Sequence, residues 1–229
     1  YTFKSYFLGE WPPQQKSFLK TYAVLKNLIK AHKTVYKVIH NYNVSAQVGF
    51  ANNTVYFESR GIIGKITKIF ANYFWNFWFL RKTFKYNDFI GCSYYYHNIL
   101  KNFKYNQNEN KVTTNQGVEI YPEGIYHVLK DLKKYRKPIY ITENGLADAQ
   151  DKYRAKFIID HLKFVHKAIS EGADVRGYFH WSLLDNFEWD KGFWPRFGLV
   201  EIDYQTMERK VRPSAQEYAK ICKNNELMM

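Results

Sequence analysis

The chain has 229 residues, of which 19% are aromatic, 46% apolar and 24% charged. That many rings exclude a disordered chain, and the rest of the balance suits one large globular domain or two small ones. Lys and Arg total 34 against 21 acids, a formal charge of +13. No basic block stands alone, so the excess reads as a lysine-rich solvated surface rather than a nucleic-acid or membrane partner.

Cys92 and Cys222 are too few for a disulfide scaffold or a CxxC metal site. The histidines are scattered outside any HExxH pattern. No apolar run reaches membrane-spanning length, the nearest being Tyr73 to Leu80, interrupted by Asn76. With no signal peptide at the start, a cytoplasmic location is expected, although the first residue is Tyr1.

In chain order, Trp11-Pro12-Pro13 marks an extended turn. Phe18, Tyr22, Leu25, Ile29, His32, Tyr36 and Ile39 step by three and four, which predicts one long amphipathic helix. Ala46 to Phe50 reads as a short buried strand. Ile66, Ile69, Phe70, Tyr73 and Phe77 step like a helix again. Asp88 to Cys92 is a second strand, and Asn102 to Gly117 a long polar loop. Pro122 suits the first position of a helix whose apolar face is Ile125, Val128, Leu129 and Leu132. Pro138 to Thr142 is the clearest strand. The helix after it carries Ile158, His161, Leu162, Val165 and Ile169 on one side and is closed by Gly172. Val175 to Trp181 is a fourth strand, and Ser214 to Lys223 a last helix.

Strict alternation of helix and strand argues for a parallel sheet with covering helices, whose chemistry gathers at the C-terminal strand ends. Three polar clusters stand there. Glu143 follows the Pro138 strand and precedes Asn144-Gly145; position alone leaves it a solvated loop acid more often than a catalyst. Trp181 ends the last strand, with Glu188-Trp189 in the loop beyond. Rings that pack on a pyranose face beside acids that accept from its hydroxyls are equipment for sugars, though such aromatics also serve as plain core. Tyr94-Tyr95-Tyr96 follows the Asp88 strand, where a phenol can hold a carboxylate or merely pack an edge.

These residues carry a resemblance. Ile139-Tyr140-Ile141-Thr142-Glu143-Asn144-Gly145 resembles the nucleophile strand of glycoside hydrolase family 1, the β-glucosidase family. Trp181 through Glu188-Trp189, Gly192 and Arg196-Phe197-Gly198-Leu199 resembles its last strand and sugar-binding loop. Asp88-Phe89-Ile90-Gly91 with Tyr94-Tyr95, then Tyr121-Pro122-Glu123-Gly124, then Arg212-Pro213-Ser214 also match in order. The resemblance spans nearly the whole chain.

It implies a (β/α)8 TIM barrel, of which residues 1–229 would be the C-terminal half of a single domain, about the last four β/α units. It implies a retaining glycosidase that hydrolyses β-glucosides or β-galactosides with two glutamates and needs no metal or organic cofactor. Glu143 would be the nucleophile and Tyr95 would orient it. Trp181 would form the platform under the sugar. Glu188 and Trp189 would bond its hydroxyls, and Phe197 would complete the pocket wall.

Two departures stand out: Ser93 and Val118 occupy positions where the family often has Asn and Trp. A larger one is that the chain contains no Asn-Glu-Pro, the family's acid/base motif. Gly9-Glu10-Trp11-Pro12-Pro13 resembles the segment shortly after that motif, and Glu10 and Glu58 are poor substitutes for it. The expectation is therefore that strands one to four lie outside this chain, in a longer protein, in a partner chain, or replaced by self-association. A sugar-binding or assembly module without hydrolysis is the alternative reading. A basic nucleic-acid binder is a distant third, supported by charge alone.

Overall fold

A computed structural model describes residues 1–227. The chain divides into two units, and no helix among the described residues is long and apolar enough to cross a membrane.

The first unit comprises Tyr1–Phe50 and Phe77–Phe89. Its main element is α1, Phe18–Tyr42, the long helix that the three-and-four spacing predicts. Ser17 caps it, accepting the Lys20 N–H at 3.3 Å on its hydroxyl. The short α3, Trp78–Thr83, packs on it, as Tyr22 against Trp78 shows at 6.3 Å between ring centroids.

Ala46 to Phe50, expected as a strand, is irregular. Asp88 is the reason. Its carboxylate accepts the Val48 N–H at 2.8 Å and the Tyr36 hydroxyl at 2.8 Å, and lies 3.1 Å from His40 Nε2. A side chain thus takes the donor that a neighbouring strand would have paired. Asp88, expected within a strand, is itself a hub for α1.

The second unit comprises Ala51–Asn76 and the chain from Ile90 onward. Four strands, β1 Ala51–Arg60, β2 Ile90–Lys101, β3 Ile139–Asn144 and β4 Val175–His180, form one parallel sheet in sequence order. Every neighbouring pair is parallel. Parallel neighbours need crossovers, and helices supply them. Within this unit α2, Gly61–Asn72, joins β1 towards β2; α4, Glu123–Lys133, joins β2 to β3; α5, Arg154–Ser170, joins β3 to β4; α6, Pro213–Asn224, follows β4.

The core lies between sheet and helices. Ile90, Cys92, Ile139 and Ile141 are buried on the strands, and Ile125, Leu129 and Leu132 on α4. Phe157 and Ile158 of α5 cluster with Leu146 and Leu199. Pro122 stands at the cap rather than the first turn of α4, with φ −63° already helical. Gly172 closes α5, its N–H donating to the Ile169 carbonyl at 2.7 Å.

The small hairpin of β5, Val200–Ile202, and β6, Arg209–Val211, has no counterpart in the sequence reading. Strands of three residues are too short to show a period of two. Cys92 is buried and Cys222 exposed, and both are free thiols.

Candidate active site

The C-terminal ends of β2, β3 and β4 bring the expected residues together. Ile139 and Ile141 are buried on one face and fix β3 in the sheet, and Glu143 follows at the strand end. Across the β2–β3 pairing Ser93 lies opposite Glu143, after an irregularity between Cys92 and Ser93. The Ser93 hydroxyl is 3.1 Å from the Thr142 hydroxyl. Two residues further along β2, the Tyr95 hydroxyl donates to Glu143 Oε2 at 2.9 Å. Burial, then the Glu143 charge and that hydrogen bond, then Glu188, hold the Tyr95 phenol well above its usual pKa. Tyr95 is therefore a permanent donor at working pH.

Asn144 locks this corner. Its side chain is fully buried, and Nδ2 donates to the Tyr94 carbonyl at 2.7 Å. Its Oδ1 accepts the Tyr178 hydroxyl at 2.8 Å, and its backbone carbonyl accepts the Trp181 N–H at 3.0 Å. One amide thus ties β2, β3 and β4 together beside the carboxylate. Nothing local in the sequence marks this role, because the partners of Asn144 are far along the chain. Gly145 has a steric reason as well: a Cβ there would lie 1.8 Å from the Trp181 carbonyl oxygen.

Beyond β4 the chain turns through a cis peptide between Trp181 and Ser182. Glu188 sits in the loop that follows, its N–H donating to the Gly192 carbonyl at 2.7 Å. It is half-buried, and burial raises its carboxyl pKa; the Trp181 side chain opposes the rise by hydrogen bonding, while Glu143 and Asp190 add to it. Glu143, Glu188, Tyr95 and Trp181 therefore sense one another as a single electrostatic cluster. Trp189 is exposed beside Glu188. Phe197 is buried, and its carbonyl accepts the Ser182 N–H at 3.2 Å.

The loop needs a foundation, and Asp185 provides it. This buried carboxylate accepts the Gly198 N–H at 2.8 Å and lies 3.3 Å from both Arg196 Nη1 and Arg212 Nη2. Two cations and a backbone donor compensate its burial. Asp185 lies inside the Trp181–Glu188 motif, and no local pattern marks its role. The signal was its spacing from two arginines, which sequence distance concealed.

Glu10 and Glu58 are engaged elsewhere. Glu10 pairs with Lys4. Glu58 lies 3.3 Å from His97 Nε2, while Glu119 lies 2.7 Å from His97 Nδ1. Among the described residues no group of three or more His, Cys, Asp or Glu is placed to hold a metal ion.

Parallel strands with a carboxylate at the end of one and an aromatic–acid loop after the next are what comparison with known proteins can test. The model of glycosyl hydrolase family 1 matches residues 79–227, and the chain belongs to that family. It is 48% identical over 117 residues to a β-galactosidase of Sulfolobus acidocaldarius, an alignment covering 51% of this chain and 24% of the relative. It is 41% identical over 157 residues to β-glucosidase A of Thermotoga maritima, covering 61% and 35%. The solved β-glycosidase of Pyrococcus horikoshii superposes with a TM-score of 0.91 at 37% identity, over 100% of this chain and 59% of that one.

The sheet and its helices are thus part of a (β/α)8 barrel, about its last four β/α units. The chain spans less than two thirds of the length of these relatives.

Proposed function

We propose that residues 1–229 are the C-terminal half of a retaining β-glycosidase that hydrolyses β-glucosides or β-galactosides. The observation that carries this reading is the Tyr95 hydroxyl on Glu143 Oε2 at 2.9 Å, at a strand end that shares its electrostatics with Glu188 and Trp181.

The roles follow from geometry and charge. Trp181 offers a ring for the C–H face of the sugar, and Trp189 adds a donor at the rim. Glu188 accepts hydrogen bonds from sugar hydroxyls, the charge-assisted kind that gives most affinity. Glu143 attacks the anomeric carbon, forming a covalent glycosyl-enzyme and releasing the aglycone oxygen. Tyr95 keeps the attacking oxygen's partner occupied, so one lone-pair direction stays aimed at the sugar. A second carboxyl about 5–5.5 Å away must protonate the leaving oxygen and then deprotonate the incoming water. We assign that acid to strands outside these 229 residues, in the same protein or a partner chain, because the Asn-Glu-Pro motif is missing here and Glu10 and Glu58 have other partners.

The same missing motif favours one alternative, a module that binds sugar without cleaving it. A 2-deoxy-2-fluoro β-glucoside with a good leaving group separates the two. A glycosidase accumulates a covalent adduct on the peptide holding Glu143, seen by mass spectrometry, and turns over aryl β-glucosides. A binder shows quenching of Trp181 and Trp189 fluorescence and no adduct.

A further inference from the structure

Helix α2 lies on the sheet with its amphipathic faces reversed. The sole fully buried residue of α2 is Gly64, which touches β2 so closely that a Cβ would lie 2.6 Å from the Leu100 carbonyl oxygen. Ala71 packs on Val55, Phe57 and Leu100. Lys68 rests its ammonium 5.5 Å from the centre of the Tyr56 ring, and Asn72 Nδ2 is 3.4 Å from Asp131. Small and polar side chains therefore face the strands. The apolar residues face out: Ile62 is 79% exposed, Ile66 51%, Ile69 68% and Phe70 60%, and Phe74 in the next turn 62%. Positions 62, 66, 69 and 70 follow the spacing of a single helical face, the one that a helix of this kind normally buries.

The segment that carries that face is basic. Within this unit residues 59–76 hold three cations, Arg60, Lys65 and Lys68, and no acid, with Arg60 lying 3.2 Å from Glu109. Lys65 is exposed on the helix itself.

Strands that complete the barrel would pair with the free edges of β1 and β4, whereas α2 packs on β1 and β2. A second copy docked on the same face would set like charges against each other. An anionic lipid surface meets both properties, taking apolar side chains into the acyl boundary and lysines among the phosphates.

We propose that α2 is an interfacial helix through which this chain binds the surface of an anionic membrane, inserting Ile62, Ile66, Ile69, Phe70 and Phe74. This revises the expectation of no membrane partner. That expectation rested on scattered lysines, and spacing cannot show that the apolar face they flank is turned to solvent. The proposal is independent of the glycosidase reading, since none of these side chains belongs to the site.

Flotation of the full chain with phosphatidylglycerol/phosphatidylcholine vesicles tests it, with pure phosphatidylcholine vesicles and high salt as controls. Binding to the anionic vesicles, at least about tenfold weaker on neutral ones, is expected. The triple variant Ile66→Gln/Ile69→Gln/Phe70→Gln should lose about tenfold or more with an unchanged far-UV spectrum, because these side chains are more than half exposed and lie outside the buried core. Lys65→Gln should cost about fivefold, on anionic vesicles only. Wild-type protein that stays with the aqueous phase, or a triple variant that floats equally well, overturns the proposal. If light scattering shows the triple variant as a smaller oligomer while wild type ignores vesicles, the face belongs to a second copy and the proposal fails.

Discussion

Glu143 and Glu188 bear the same functional group and are built in different ways. Glu143 ends a buried strand and is held directly by Tyr95, with Asn144 tying the neighbouring strands beside it. Glu188 stands on a loop whose shape depends on Asp185, Arg196 and Arg212. One carboxylate is positioned by the sheet, the other by a salt-bridged platform. The difference suits their proposed tasks: a nucleophile needs its geometry fixed to fractions of an ångström, whereas a hydroxyl acceptor tolerates adjustment.

Substituting the two acids breaks the comparison most sharply. Glu143→Gln should lower kcat on aryl β-glucosides by at least about 10³-fold while thermal unfolding stays near wild type, because the covalent route is removed. Steady-state kinetics with activity within tenfold of wild type would contradict the assignment. Glu188→Ala should cost roughly 2–4 kcal/mol in sugar affinity and kcat/KM, since a charged acceptor is lost, yet leave adduct formation on Glu143 intact. Inhibitor titration by calorimetry reads that loss directly.

The same contrast extends to pH. Burial raises the Glu188 carboxyl pKa, so on acidification its acceptor charge disappears earlier than for an ordinary glutamate. Affinity for a neutral glucose analogue should fall with it, and that fall should vanish in Glu188→Gln.

A smaller effect sharpens the view of the strand end. Tyr95→Phe removes one donor to a carboxylate, worth about 1.5–3 kcal/mol, and should act on kcat with KM little changed. A change confined to KM would move Tyr95 from positioning the nucleophile to binding the sugar.

The smallest expected effect concerns the scaffold under both acids. His161 is fully buried, its Nδ1–H donating to the Phe157 carbonyl at 2.8 Å, and burial lowers its pKa to about 4. Below its unfolded value of 6.5 the unfolded chain takes up a proton that the folded one refuses. Stability therefore rises with pH between about 4 and 6.5 and is flat above. At pH 5 this histidine alone costs about 2 kcal/mol relative to pH 7. Urea unfolding at the two pH values should show that difference, reduced in His161→Leu.

Much of this was legible in the residues. Helix α1, the strands at Ile90, Ile141 and Gly177, and helices α4 to α6 follow from apolar spacing and from Pro122 and Gly172. Ala46 to Phe50 is apolar and short and reads as the first strand, yet β1 begins at Ala51, because the Asp88 carboxylate takes the Val48 N–H that a strand neighbour would pair. Asn144 carries no local signal because its partners come from β2, from β4 and from Trp181 just beyond β4. Asp185 was passed over because its arginines lie eleven and 27 residues away.

The order of motifs alone determined the family, the parallel alternation and which side chains stand at strand ends, since those depend on local period and on residue type. Tertiary structure decided the rest. It decided that Tyr95 meets Glu143, that two arginines meet Asp185, and that α2 turns its isoleucines outward. Periodicity reports that a helix has an apolar face; which way that face points is set by what packs against it. Here Gly64 lets α2 approach β2 closely on its small-residue side, and the bulky side is left to solvent.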